Sequence, residues 1–391
     1  MYNKGDSDSM ESVKNTSKIV IYGLGRTREM VEERLDANDS TIVAYVDGIS
    51  EIESFNNKPF YKREEINCIT FDYIIIAIED TKIKNEAKQY LIRKQNISGR
   101  KIIDYDYYMK NSIKLVRVME SSEQPYNGMI LGMSYAEVGI IPELLRERFC
   151  NLAVSSQDIF YNYKTMEFVY RNYEDKLDLK YLIIDMYDYR WFNYDLSQGK
   201  MIYQYICEWN GFPYDMHNID LNCNLTQEQK AEIKEQKNNI IDKEIYKLFD
   251  KDYRGSMVAE LRMKVVQDEC VKEKINSHFF RESKHENTLK ENVEYFEKTL
   301  HFVKKVNPNI RIICMLIPRF NEFEKIIEPF QVESKKYFTD LIEKWIEQYD
   351  VEFYNFRDLE MASQRGYFFD FEHLNYEGAK VFTEYIEKIL F

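Results

Sequence analysis

Residues 368–379 read Phe368-Phe369-Asp370-Phe371-Glu372-His373-Leu374-Asn375-Tyr376-Glu377-Gly378-Ala379, with an acid three residues ahead of a histidine. Asn375 is the predicted N-cap of the helix that follows. That helix has one apolar face, made of Val381, Phe382, Tyr385, Ile386, Ile389 and Leu390. This spacing is typical of a helix docked on a core. Asp370 and His373 then lie on an ordered segment where a carboxylate can hold an imidazole in one tautomer. The alternative is a solvated acid beside a surface histidine.

A serine lies directly after a predicted strand in the middle of the chain. Residues 129–131 are apolar, the turn Gly132-Met133-Ser134 follows, and a helical stretch is predicted to run on to residue 145. A hydroxyl in that position is exposed at the carboxyl edge of a sheet, close to the N–H groups of a helix N-terminus, which stabilise negative charge. Ser134 is therefore a candidate nucleophile, and the simpler alternative is an ordinary N-cap.

Further apolar runs predict more strands of the same α/β region. They are 149–158 (a strand and its turn), 181–186, 310–317 and 351–356. Ligands of open parallel sheets bind at the carboxyl ends of the strands. The residues expected at that edge are Ser134, Ser156, Asp188 and Arg319, joined by Asp370 and His373 from the closing loop.

Residues 18–112 alternate short strands with helices, which predicts a small parallel α/β domain. The turn Gly23-x-Gly25 leads into a helix, and Asp47 ends the second strand. These three residues suit a Rossmann-type site, where glycines admit a phosphate and the acid meets a ribose hydroxyl. Arg28 occupies the third glycine position, so the fingerprint is incomplete. The alternative is a plain strand-to-helix turn with Asp47 in an Asp-Gly turn.

Composition limits the partners and the compartment. The net charge of −13 argues against nucleic acid and anionic membranes as main partners. The six cysteines form no C-x-x-C pair, which is typical of reduced thiols. No secretory signal and no run of about 18 apolar residues is present. The sequence thus predicts a cytoplasmic protein without a membrane span, in which residues 1–17 form a flexible tail.

A long polar segment separates the third and fourth strands of the second region. Residues 200–286 are predicted to form a helical insertion covering the site, with aromatic residues at Tyr203, Tyr205, Trp209 and Tyr214. Thr226-x-x-Gln229 and Thr288-x-x-Glu291 resemble capping boxes. The second opens a helix with one apolar face, Leu289, Val293, Phe296, Leu300 and Val303. No cluster with metal-ligand spacing is visible, so no metal is expected.

Residues 126–391 resemble the SGNH (GDSL-like) hydrolase and acyltransferase superfamily. Gly132-x-Ser134 is similar to its nucleophile block, and residues 151–156 are similar to its second block, with Ser156 where a glycine offers an N–H to the oxyanion. Asp370-x-x-His373-Leu374-Asn375 is similar to its last block and is followed by the usual Gly378-Ala379. The nearest variants are those of cell-surface polymer acylation, such as D-alanyl transfer proteins and alginate-type acetyltransferases. Residues 18–112 resemble the Rossmann-like domain ahead of some bacterial sugar acyltransferases.

The resemblance implies an α/β protein. A small Rossmann-like domain would precede a flavodoxin-like SGNH α/β/α domain at 120–391. The implied activity is a serine-dependent O-acyl (acetyl) transferase or esterase with the triad Ser134, His373 and Asp370. It would act on a carbohydrate or surface-glycan precursor, alongside other surface-glycan assembly enzymes.

Besides the serine at position 156, the sequence departs from the family pattern in two further places. Met133 replaces the usual Asp of the nucleophile block, and Met186-Tyr187-Asp188 replaces the third block's Gly-x-Asn, so the usual oxyanion Asn is missing. Backbone N–H groups, Tyr187 or Arg319 are the candidate replacements. The alternative is a non-catalytic protein that binds a nucleotide or nucleotide-sugar in the first domain and a glycan in a degenerate SGNH domain. A third option, an NAD-dependent oxidoreductase, rests only on Gly23, Gly25 and Asp47.

Overall fold

The computed structural model describes residues 16–48, 53–105, 111–193, 226–228, 230–231, 234, 248–249, 252–255 and 286–391. The chain divides into two compact units, Met1–Met109 with Gln236–Lys251 and Lys110–Glu235 with Asp252–Phe391. Tyr203, Tyr205, Trp209, Tyr214 and most of the region 200–286 lie outside the described residues, as does the predicted tail up to residue 15.

The first unit contains a six-stranded sheet in the order β3-β4-β2-β1-β5-β6. Its strands are β1 (Ser17–Tyr22), β2 (Ser40–Asp47), β3 (Ser54–Phe55), β4 (Lys58–Lys62), β5 (Tyr73–Ile76) and β6 (Ile102–Asp104). Its longer helices are α1 (Arg26–Arg34) and α2 (Thr81–Arg93). Val20, Ile74 and Leu91 are completely buried in its core.

One edge of this sheet corrects the prediction of a purely parallel sheet. β3 pairs with β4 in antiparallel orientation, whereas the other pairs are parallel. Asn56 and Asn57 join the two strands, both at positive φ (48° and 59°). Asparagine tolerates this backbone conformation, which a two-residue hairpin turn requires at both positions. The small domain is therefore α/β with a mixed sheet.

The second unit contains a five-stranded sheet in the order β11-β10-β9-β7-β8. Its strands are β7 (Tyr126–Leu131), β8 (Phe149–Asn151), β9 (Leu177–Asp185), β10 (Arg311–Leu316) and β11 (Val351–Asn355). Its longer helices are α3 (Asn111–Ser121), α4 (Ser134–Gly139), α5 (Ile159–Asn172), α6 (Glu286–Val306), α7 (Asn321–Ile327), α8 (Val332–Tyr349) and α9 (Tyr376–Leu390).

All strand pairs in this sheet are parallel, so the carboxyl ends of all its strands lie at one edge. Leu182, Ile183 and Ile184 of the central strand β9 are at most 2% exposed. Both faces of such a strand are covered, which explains its unbroken apolar run. The topology therefore brings the segments that follow β7, β8, β9 and β10 to a common edge.

Two helices of the second unit differ from the prediction. α4 ends at Gly139, and only a 3₁₀ turn, Pro142–Leu144, follows it. Pro142 disfavours helical backbone at Ile141, which is extended. α3 was not predicted.

The predicted apolar face packs against the core on α6 but only in part on α9. Phe296, Leu300 and Val303 are at most 1% exposed, which confirms the face of α6, although that helix begins at Glu286 and not at Thr288. On α9, Phe382, Ile386 and Leu390 are buried. Tyr385 and Ile389 of the predicted stripe are 38% and 44% exposed, because only part of that face contacts the core.

Candidate active site

Ser134 lies on a tight turn between β7 and α4. Gly132 there has φ +141°, and a Cβ on it would lie 2.5 Å from the Asp185 Cβ, so only glycine fits. The Gly132 N–H donates to Asn162 Oδ1 at 2.8 Å. Met133 occupies the N-cap position without a capping side chain, and Ser134 is the first helical residue. The structure therefore excludes the N-cap interpretation of Ser134.

Asp370 organises the loop that carries the histidine. Its Oδ1 accepts the backbone N–H groups of Glu372 (2.8 Å) and His373 (2.7 Å). Both carboxylate oxygens face His373 Nδ1, at 3.1 and 3.0 Å. The Phe369 N–H also donates to the His373 carbonyl at 2.9 Å. The backbone of this short loop thus fixes the position of the imidazole.

The three predicted catalytic side chains form one continuous chain of hydrogen bonds. His373 Nε2 lies 2.8 Å from Ser134 Oγ, across 239 residues of sequence. Burial by itself would raise the pKa of Asp370, but the hydrogen bond and charge of the His373 ring and two backbone N–H groups lower that pKa below its usual range. An ionised Asp370 can only accept, so it accepts a hydrogen bond from the Nδ1–H of His373, and the unprotonated Nε2 can accept one from the serine hydroxyl. The solvated-pair interpretation does not fit this geometry.

Asn375, the last residue of the block, has a structural role. Its Oδ1 accepts the Gly378 N–H at 2.9 Å, and its Nδ2 donates to the Gly366 carbonyl at 2.6 Å. The predicted N-cap is therefore confirmed. One side chain thus anchors both the end of the histidine loop and the start of α9.

Ser156 lies on the turn after β8 and has φ +64°. The Val154 N–H donates to the Gly132 carbonyl at 3.4 Å, so this turn lies beside the nucleophile turn. Within the described part of the chain, the N–H groups of Ser134 and Ser156 donate to no protein acceptor. Each of these two neighbouring turns thus has one backbone N–H without an acceptor among the described residues.

The segment in place of the third block is engaged in internal contacts. Tyr187 has φ +57°, its N–H donates to Asp185 Oδ1 at 2.9 Å, and its carbonyl accepts from Arg357. Its ring stacks on Tyr135 with centroids 5.3 Å apart. The Tyr187 N–H is therefore already used and is not a free oxyanion donor.

Arg319 and Asp188 meet at the carboxyl edge, as predicted, but inside a buried ionic network. Arg319 Nη1 lies 3.4 Å from Asp188 Oδ2, and both side chains are 0% exposed. Arg319 also binds Glu324 at 2.7 Å, and Arg190 lies 2.8 Å from Asp188. Burial would raise the pKa of Asp188, but the charges of Arg190 and Arg319 lower it below its usual value. An enclosed Arg319 serves this network and is not open to a substrate.

Sequence reasoning missed Tyr135, which links this network to the histidine. The Tyr135 hydroxyl is 3.2 Å from Glu372 Oε1 and 3.4 Å from Arg319 Nη1. Its ring lies 5.1 Å from the His373 ring. Its position directly after the candidate nucleophile was the one local signal available.

Asp185 was also missed, although it ends the central strand below the nucleophile turn. Its Oδ2 accepts the N–H groups of Met133 (3.3 Å) and Ala136 (3.1 Å), and its Oδ1 accepts that of Tyr187. Burial raises the pKa of Asp185 to about 6, and the three N–H groups oppose that rise. This carboxyl group ties the nucleophile turn to the turn at Tyr187.

The raised pKa of Asp185 predicts a pH dependence of stability. Between pH 4 and 6 the native state keeps the Asp185 proton, whereas an unfolded chain releases it near the usual aspartate pKa of about 4. The contribution of Asp185 to the free energy of unfolding is therefore fully present below pH 4 and is lost as the pH rises to about 6. The shift corresponds to about 2–3 kcal/mol. We expect the difference in urea-unfolding free energy between wild type and D185N to shrink by this amount from pH 4 to 6.5. A difference that stays constant over that range would contradict the assignment.

The first unit brings the predicted nucleotide-site residues together in part. Gly23 has φ +107° and packs against the Ala77 carbonyl, and Gly25 caps α1 with open space around it. Asp47 Oδ2 accepts the Leu24 N–H at 3.2 Å. Arg28, in the third glycine position, is 8% exposed and binds Glu29 and Glu32. Asp47 thus connects the end of β2 to the glycine turn.

Comparisons with known proteins place only the first unit near a family. Residues 15–103 match the family model described as C2185-like, N-terminal. That match contains neither Ser134 nor His373. No curated protein matches the chain.

None of the helices formed by the described residues is long and apolar enough to cross a bilayer. In the same part of the chain, no three His, Cys, Asp or Glu residues are grouped to hold a metal ion.

Proposed function

We propose that the second unit is a serine-dependent acyl enzyme, an O-acyl (acetyl) transferase or esterase. The observation that carries the proposal is the continuous contact from Ser134 Oγ to His373 Nε2 (2.8 Å) and from Nδ1 to Asp370 (3.0 Å). Nucleophile, base and orienting acid at hydrogen-bond distance are the features that activate a serine.

The reaction proceeds in two steps. Ser134 Oγ bonds to the acyl carbon while His373 Nε2 takes the hydroxyl proton, and the acyl–oxygen bond of the donor then breaks as that proton passes to the leaving oxygen. In the second step the oxygen of a sugar hydroxyl or water bonds to the acyl carbon while its proton passes to Nε2. The bond between the acyl carbon and Ser134 Oγ then breaks as Nε2 returns the proton to Oγ. Asp370 stabilises the imidazolium in both steps and stays ionised.

The oxyanion of each tetrahedral intermediate would be met by the N–H groups of Ser134 and Ser156. Both lack protein acceptors among the described residues, whereas Tyr187 and Arg319 are engaged elsewhere. Two backbone donors take the place of the side-chain Asn that the third block lacks.

The strand order supports the resemblance to SGNH enzymes. Across the sheet the strands lie in the order β8-β7-β9-β10-β11. When the five strands are numbered by their order along the chain, this is the 2-1-3-4-5 arrangement of flavodoxin-like sheets, whose sites lie at the carboxyl edge. From the resemblance we further propose a carbohydrate or surface-glycan precursor as the acyl acceptor.

The five parallel strands of the first unit's sheet, β4-β2-β1-β5-β6, follow the 3-2-1-4-5 order of Rossmann-type domains, and the antiparallel β3 lies outside that pattern. This order favours a nucleotide or nucleotide-sugar as its ligand at Gly23 and Gly25. The buried Arg28 and the engagement of Asp47 with Leu24 weigh against a standard dinucleotide mode. Nucleotide binding therefore stays a proposal of its own, independent of the acyl chemistry.

The test is covalent labelling of the intact protein with a fluorophosphonate. We expect one adduct, which peptide mass spectrometry maps to Ser134, because the activated Oγ attacks phosphorus and expels fluoride. S134A is the control and should carry no adduct. Folded wild-type protein that remains unlabelled over hours would sink the enzyme proposal and favour the non-catalytic binding alternative.

A further inference from the structure

We propose that Glu137 is a positioning residue that holds the Ser155–Ser156 turn in place as part of the oxyanion site, with Lys114 as its buried counter-ion. The proposal rests on the acyl chemistry assigned to Ser134. It names the residues that compensate for the missing Asn.

Glu137 connects the two halves of the candidate oxyanion site. It lies on α4 three residues after Ser134, and it is completely buried. Its Oε2 accepts the Ser155 N–H at 2.7 Å and the Ser155 hydroxyl at 2.5 Å. The helix that carries the nucleophile therefore directly holds the residue preceding Ser156.

Lys114 offsets the energetic cost of burying the Glu137 carboxylate. Its side chain is 3% exposed, and its Nζ lies 3.3 Å from Glu137 Oε1. The same Nζ donates to the Ala153 carbonyl at 2.5 Å. A charge removed from water needs such a partner and further hydrogen bonds. Lys114 thus adds a second link from Glu137 to the strand end that leads into the turn.

The turn itself depends on these contacts. Ser156 adopts φ +64°, a conformation that costs energy for a residue with a side chain. Its neighbours are held by Val154 N–H to Gly132 O (3.4 Å) and Gln157 N–H to Val154 O (3.0 Å). Ser155 contributes the link to Glu137. Releasing it lets the Ser156 N–H move away from the developing oxyanion.

A displaced Ser156 N–H would weaken stabilisation of the transition state. As the Ser134 Oγ–carbon bond forms, the carbonyl electron pair moves onto oxygen, and a donor contributes only if it lies at the position of that oxygen. Substrate binding uses this donor little, so a displaced turn lowers kcat more than it raises KM.

The experiment compares E137Q with D104N in burst kinetics on an activated acetyl ester. Asp104 forms a matched buried pair with Lys84 in the first unit, also at 3.3 Å and with side chains 2% and 4% exposed. We expect E137Q to lower the acylation rate constant about 10- to 100-fold with an unchanged burst amplitude per folded protein. D104N should leave the rate constant at the wild-type value. A purely structural role would lower the fraction of folded protein, and with it the burst amplitude per total protein, but not the rate constant.

S155A gives a second, milder test because it keeps the Lys114–Glu137 pair. It removes only the hydroxyl contact, so we expect a fall of about 3- to 10-fold in the acylation rate, and it decides the matter if E137Q does not fold. Wild-type rate constants in both variants, or in S155A alone if E137Q is unfolded, would overturn the inference. An unreactive wild-type protein would instead overturn the proposed function, so the two failures are distinguishable.

Discussion

Replacing His373 with glutamine is expected to lower the rate of Ser134 acylation by about 10⁴- to 10⁶-fold. Glutamine can still fill the space near Ser134 Oγ, but its amide cannot take a proton at neutral pH. The hydroxyl would then attack without a base, and only the backbone donors and substrate binding would still assist. The measurement is the single-turnover rate of acyl-enzyme formation with an activated ester.

H301Q is the matched control for this substitution. His301 is an exposed histidine on α6 and makes no contact with the triad. The control should keep the wild-type rate within about twofold, as is usual for surface changes. Fluorophosphonate labelling of Ser134 in H373Q at the wild-type rate would show that the imidazole is not the base, whatever the 2.8 Å contact suggests.

Replacing Gly378 with alanine is expected to destabilise the second unit by about 2–4 kcal/mol. A Cβ at this position would lie 2.1 Å from the Tyr367 carbonyl oxygen and 3.0 Å from Leu374 Cδ2. Alanine favours helix over glycine by at most about 1 kcal/mol, so the steric overlap outweighs the propensity gain. Since α9 holds the loop 367–375 through this contact, the His373 ring would also shift, and acylation would slow.

The measurements are thermal unfolding and burst kinetics, and G366A is the control. Gly366 lies in the same segment, but a Cβ there meets no atom within 4 Å. We expect G378A to lower the melting temperature by roughly 5–10 °C, and G366A to change it little. Equal melting temperatures for the two variants would show that the close approach of Gly378 to Tyr367 is not a constraint.

Local sequence patterns predicted the three side chains that meet in the candidate site. Ser134 after a strand, and Asp370 three residues before His373, both follow from short-range rules of turns, capping and strand ends. The contact between Asp370 and the ring is set within four residues by the turn at Glu372. The meeting with Ser134 follows only when the parallel sheet brings both segments to one edge.

The supporting residues were not predictable in this way. Glu137 lies in a short helix, and Lys114 belongs to a helix that no pattern indicated. Their pairing depends on the packing of α3 and α4 against the end of β8. A buried ion pair between distant segments leaves no periodic signal in the sequence. A single lysine in one helix and a single glutamate in another are usually exposed to solvent, so nothing in the sequence distinguishes this buried pair from solvated residues.

The edge strands of the first sheet, β3 and β4, were likewise not predictable from the sequence. Asn56-Asn57 is a recognisable turn signal, but the strands on either side span only two and five residues. Strands that short show too little alternation to be distinguished from a loop. Pairing of β4 with β2, and of β3 with β4, is what makes these two segments strands.

The sequence by itself determined the α/β class, the identity of the central strands and the local geometry of the Asp370–His373 loop, since apolar runs, caps and tight turns act over a few residues. Tertiary structure alone decided that Ser134 meets His373, that Arg319 is enclosed by Asp188 and Glu324, and that Glu137 holds the Ser155–Ser156 turn. Those outcomes depend on which distant segments meet at the same edge of the sheet and on which charged side chains are buried as pairs. Neither is encoded in the spacing of neighbouring residues.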